Sequence, residues 1–183
     1  MKHCFKWTLL LLLLMLLHTP TGFARAMYTE TLQDGDLVLV DGHMGGGRYA
    51  DLSSVAVQQD ASPEYRISIN VVFIQFSEDY YQEYRTYAGS PYTDYGTEQY
   101  TFRYDWDSKT IWRYDERTGK WNLWDIDRDH SHADGLPLIP YTAEAAFVAA
   151  YNTRFFDDTT GYSPKREKYY RVIDESFYDR LGI

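Results

Sequence analysis

The sequence holds a single cysteine, Cys4, ahead of an apolar run from Leu9 to Leu17. Once that segment is set aside, the chain can form no disulfide, thiolate nucleophile or cysteinyl zinc site, so its stability must come from a packed core. Histidine is nearly as scarce, with only His43, His130 and His132 beyond residue 26. Cationic patches are missing too: the formal net charge is −9 and no Lys/Arg stripe offsets it, which excludes nucleic acid as a partner. "HMGGGR" lacks both the Lys-Ser/Thr of a P-loop and the spacing of a dinucleotide fingerprint, and Ser53 and Ser54 have no nucleophile-elbow glycines around them. Pairs of acids abound in so acidic a chain, so their presence says nothing about glycoside hydrolysis. The chain therefore reads as a non-enzyme, with a hydrolase built on His43 or on His130 and His132 as the minor alternative.

What is present begins with residues 1–26. Lys2 and Lys6 precede the apolar run, Pro20 and Gly22 follow it, and Ala24-Arg25-Ala26 places small residues at both specificity positions of a signal-peptidase site. That is the three-part layout of a cleavable signal peptide, with cleavage expected after Ala26. A spanning helix needs about 20 apolar residues, so no membrane span is expected after cleavage. Removing the leader takes away three positive charges and no negative one, which moves the net charge from −9 to −12. Residues 27–183 are then expected to form one exported domain, periplasmic or extracellular.

The strand signals come first. "DLVLVDG" (36–42), "RYADLSSVAVQQ" (48–59) and "EYRISINVVFIQF" (64–76) read as strands, the last alternating at first and then apolar on both faces, as a central strand would. "HMGGG" reads as a flexible connection, and "SEDYYQEYRTYAGSPYTDYGTEQY" as a polar, tyrosine-rich one. Residues 101–124 then read as a three-strand meander with turns at "DSKT" and "ERTG". "YTAEAAFVAAYNTRFFDD" has helical spacing with Thr142 as N-cap and Glu144 in the first turn. "SPKREKYYRVIDESFYDRL" reads as a last helix capped by Ser163 with Pro164 at its first position, although "KYYRVI" alone suits an edge strand. The expected class is α+β: an antiparallel sheet of about five to seven strands packed on C-terminal helices.

Two clusters are candidate sites. All four tryptophans outside the leader, Trp106, Trp112, Trp121 and Trp124, fall in the meander. The alternation suggests that the aromatics of its first two strands share the core face, while Trp121 and Trp124 must point to opposite faces. An exposed ring there, with Tyr92 and Tyr95, would suit stacking on a sugar or peptide. The second cluster is "DIDRDHSHAD", where Asp125, Asp127, Asp129 and Asp134 stand with His130 and His132. Carboxylates at 125, 127 and 129 match the start of a calcium loop, but its glycine position is His130 and its closing acid position is Leu136. The histidines leave Zn²⁺ open as well. A solvated acidic connection is the plain reading, so no cofactor is expected, with Ca²⁺ or Zn²⁺ as the alternative.

"RYADLSSVAVQ", "PEYRISINVV", "FRYDWDSKTIW", "AEAAFVAAYNTRFF" and "FYDRL" together resemble a group of small exported bacterial proteins. In that group a Tyr-x-Asp-x-Ser-Ser segment precedes a Pro-x-Tyr-x-Ile-x-x-Asn-Val-Val strand, and an Ala-rich helix containing Ala-Tyr-Asn closes the domain. The resemblance implies export and a similar small domain. It carries no activity and no functional residue. The leading expectation is a non-catalytic module that binds a protein or glycan of the cell envelope through the tyrosine-rich segment and the meander.

Overall fold

The computed structural model describes residues 27–124, 138–163 and 167–183. Seven strands form one antiparallel sheet in sequence order: β1 (Thr31–Leu32), β2 (Leu37–His43), β3 (Gly46–Ala61), β4 (Glu64–Phe76), β5 (Tyr92–Asp105), β6 (Thr110–Asp115) and β7 (Lys120–Trp124). Three helices accompany it, α1 (Glu78–Tyr84), α2 (Leu138–Tyr151) and α3 (Glu175–Leu181), with a separate hairpin of β8 (Thr160–Ser163) and β9 (Lys168–Arg171). The expected α+β class, the meander and the C-terminal helices are all there. Among the described residues no helix is long and apolar enough to cross a membrane.

Two cores lie on opposite faces of this sheet. Successive β2 residues divide between them, because side chains alternate along a strand. Val38 and Val40 join Ile67, Ile69, Val71, Phe102 and Tyr104 beneath α2. Leu37 and Leu39 join Tyr49, Ile74, Phe76 and Tyr87, which Tyr28 and Tyr81 cover from the segment before β1 and from α1. Strand β4 serves the first core with Ile67, Ile69 and Val71 and the second with Ile74 and Phe76, so its later half is apolar on both sides. The Asp-x-Ser-Ser segment sits where β3 slips against β4 between Asp51 and Ala56. There the Ser54 hydroxyl donates to the Asp51 carbonyl and accepts the Asn70 N–H at 2.8 Å, replacing a ladder bond that the bulge removes.

Several local expectations are corrected. "HMGGG" is a tight two-residue turn, not a flexible link: Met44 (φ 49°) and Gly45 (φ 79°) join His43 to its partner Gly46. The tyrosine-rich connection is a helix and a strand. Ser77 caps α1 by accepting the Tyr80 N–H, Glu78 and Asp79 favour its N-terminus, and β5 starts at Tyr92. Gly96 (φ 147°), which reads as loop punctuation, instead follows Tyr95 at a bulge opposite Phe73 and Ile74. Thr142 is no cap, because α2 starts at Leu138 and the Thr142 hydroxyl bonds back to the Leu138 carbonyl at 2.6 Å. Pro140 is tolerated there, since first-turn N–H groups have no helical partner. Arg154 and Phe155 lie beyond the helix end. The last segment is not one helix capped by Ser163: Lys168–Arg171 take the strand alternative as β9, with Tyr169 opposite Tyr162 of β8, and α3 follows Asp174.

Helix α2 is buried from Pro140 through Val148, and its one charged residue in that span, Glu144, is fully enclosed. The two carboxylate oxygens accept the backbone N–H groups of Phe155 at 2.9 Å and Phe156 at 3.1 Å. This folds the chain back after the helix and seats Phe155 against Tyr104, Trp106 and Phe147, and Phe156 against Trp124. Burial pushes the Glu144 carboxyl up from 4.5 to about 7, with the Tyr178 hydroxyl, the two N–H donors and the Lys109 charge acting the other way. Between these two values the folded state keeps a proton that the unfolded state releases. Stability therefore falls as pH rises from about 4.5 to about 7, by about 3 kcal/mol. Chemical unfolding at several pH values is expected to show that slope in the native sequence, and the Glu144→Gln variant is expected to lack it.

Candidate functional site

The register of the meander decides where its aromatics point. Phe102 pairs with Arg113 and Arg103 with Trp112, so Phe102 and Tyr104 face α2 while Trp112 and Tyr114 face the other way. The aromatics of the first two meander strands therefore do not share a face. The turn after Asp105 sets this phase, because Asp105 pairs with Thr110 and the whole of β6 follows from that register. In β7, Trp124 lies opposite Ile111 on the helix-covered face, while Trp121 lies opposite Tyr114 on the other. The split between Trp121 and Trp124 is as the alternation requires. Packing accounts for Trp106 and Trp124 at the margin of the core, where they stack on Phe147, Phe155 and Phe156, and not for Trp112 and Trp121.

Trp112 and Trp121 are instead engaged by arginines. Gln59, Arg66, Arg103, Trp112 and Leu123 form one register row across β3 to β7, on the face turned away from α2. The Arg103 guanidinium lies 4.2 Å from the Trp112 ring centre and 5.7 Å from that of Trp121, and Arg66 lies 5.3 Å from Trp121. Tyr114 packs against Trp121 at 5.1 Å. Leu123 is 56% exposed at the end of the row, and the two indoles and both arginines are half-buried. The second core, with α1, lies over the opposite end of this face, so this end reaches solvent.

Two features of the row are electrostatically costly. Arg66 and Arg103 are direct cross-strand partners, and like charges so placed repel. Every ion pair among the described residues involves other arginines: Arg48, Arg113, Arg154 and Arg171. The Nε of Arg66 is buried without a hydrogen-bond partner among the described residues. Glu64 and Asp105 pair in the next row on the same face, and the Asp105 carboxylate is held below the usual range chiefly by the Ser108 N–H, which it accepts at 2.9 Å, with the Arg103 charge adding a smaller part.

The other candidate residues are placed as follows. Tyr92 and Tyr95 are 40% and 79% exposed on β5, whose outer edge has no strand partner among the described residues until β6 joins at Phe102. Tyr95 stands about 20 Å and Tyr92 about 30 Å along the strand from the Trp121 row, so they form no continuous surface with it. Tyr95 instead lines a shallow groove of about 260 Å³ with His43, Asp41, Arg48 and Phe73. The Asp41 carboxylate there is taken by Arg48 in a salt bridge, and the guanidinium lies 5.5 Å from the Phe73 ring. Asp125, Asp127, Asp129, His130, His132 and Asp134 lie outside the described residues. Among the described residues no three His, Cys, Asp or Glu side chains gather as a metal site would need.

The sequence signal for Arg66 and Arg103 was faint. Both read as the polar positions of amphipathic strands, and only the strand register brings them together under two indoles. Comparison with protein-family models, with curated proteins and with solved structures found no match to this chain. The stack also contributes to stability. Arg103→Ala is expected to cost about 1 kcal/mol in denaturant unfolding, the size of a half-exposed cation–aromatic contact, and to shift the tryptophan emission.

Proposed function

We propose that this chain is a non-catalytic domain, exported through a leader spanning residues 1–26, that binds a protein or glycan of the cell envelope through the uncovered end of its meander. The observation that carries this reading is the Arg66–Arg103–Trp112–Trp121 cluster on a face reaching solvent. Half-exposed indoles and guanidiniums combine apolar contact area with directional donors, the mixture enriched in interface hot spots. A sheet that breaks a local pairing rule, setting two like charges side by side, does so most often where function requires it.

Two experiments test the reading. N-terminal sequencing of the protein recovered outside the cytoplasm is expected to start at Met27, and an intact leader on that material would remove the export part. The recovered protein is then passed over immobilised cell-wall polysaccharide and over immobilised envelope proteins. Retention on one of them is expected to drop at least tenfold for Trp121→Ala and to stay unchanged for Tyr95→Ala. Equal retention of the native protein and Trp121→Ala would locate binding elsewhere and refute the site.

A further inference from the structure

We infer that the meander row is an anion site and that its ligand is a saccharide strand bearing carboxylates. The inference rests on the binding reading above and deepens it. Its first support is charge. The protein is acidic, with a formal net charge of −9, yet Arg66 and Arg103 stand side by side and, among the described residues, no carboxylate forms an ion pair with either, Asp105 acting on Arg103 only through space. Each guanidinium rests on an indole and so is held on a flat aromatic support. A guanidinium bound by its face keeps its edge of N–H donors for a planar, bidentate acceptor, and a carboxylate fits that fork. An incoming anion also relieves the repulsion between the two arginines, so binding gains twice from the same charges.

The second support is shape. The row crosses five strands, from Gln59 to Leu123, and so extends about 19 Å across the sheet. A ligand lying along it meets amide, cation, cation, indole and leucine in turn. An extended peptide gains most from a sheet by pairing its backbone at a strand edge. Across a sheet face its carbonyls could accept from the guanidiniums, but its N–H groups would find only the Gln59 amide oxygen as an acceptor in the row. A sugar ring has no such conflict, because each hydroxyl both donates and accepts and its C–H faces suit Leu123 and the indole rims. The acidic saccharide strand is therefore the better occupant.

The test uses the exported protein and three probes at one low ionic strength: a galacturonate oligomer, its methyl ester, and an oligoglutamate peptide of equal length. The galacturonate oligomer is expected to bind. Esterification, or Arg103→Gln, is expected to weaken that binding at least tenfold, and the peptide is expected to bind at least tenfold less tightly. Arg103→Lys keeps the charge but loses the planar fork, so it should fall between the native protein and Arg103→Gln. A thermal melt of each variant establishes that it is folded. Equal binding of acid and ester overturns the anion assignment, and a peptide that binds as well as the saccharide overturns the choice of ligand. No binding of any probe, with retention on envelope material still sensitive to Trp121→Ala, overturns this inference alone. Loss of that sensitivity as well overturns the binding reading with it.

Discussion

A buried carboxylate holds the C-terminal half of this protein to its sheet. Glu144 sits in a helix buried on every side, where burial raises its carboxyl to about 7, and the two backbone N–H groups of Phe155 and Phe156 satisfy its oxygens and offset part of that cost. Those N–H groups follow the helix end, where the chain must reverse and where backbone donors need partners. The carboxylate thus supplies what the turn lacks. Its position also delivers Phe155 and Phe156 into the core, and each aromatic of that size adds about 2–3 kcal/mol by leaving water. Tyr104 completes the junction by donating its hydroxyl to the Ala143 carbonyl at 2.8 Å.

The rest of the architecture follows from how much of the sheet these elements can cover. Helix α2 and the segment after it occupy one face. Among the described residues, the segment before β1 and α1 occupy the opposite face only where β2, β3 and the later half of β4 meet. A twisted seven-stranded sheet is larger than that cover, so among the described residues the far end of the second face is left to side chains alone. There the indoles are shielded by arginines rather than by another layer of secondary structure. Long cationic side chains can blanket apolar rings while keeping their charge in water. Stability and recognition would then draw on the same residues.

The candidate site was only partly legible in the sequence. The density of tryptophan in residues 101–124 drew attention to the right strands, and strict alternation required Trp121 and Trp124 to diverge. The same alternation misled for Trp112 and Tyr114, because one turn between β5 and β6 reverses the phase of every residue after it. Tyr92 and Tyr95 looked like loop residues near the meander because Pro91 and Gly96 suggested a break in the chain. Ser77 as a cap and Gly96 after a bulge turned that break into a helix and the start of a 14-residue strand, which carries the two tyrosines away from the tryptophans.

Composition and periodicity by themselves determined that this is an acidic α+β chain, without cysteine beyond Cys4, whose central strand is apolar on both faces. They could do so because burial demands apolar side chains at the period of the backbone, whatever lies opposite. Which face each meander aromatic takes was decided only by the register between β5 and β6. That Arg66 meets Arg103, residues 37 positions apart, was decided only by the pairing of β4 with β5. The role of Glu144 was hidden for a related reason. In the sequence it is an acid placed near a helix start, and only the fold encloses it and brings the Phe155 and Phe156 N–H groups to its oxygens. A strand pattern records what each residue needs, and the contacts between distant residues supply it.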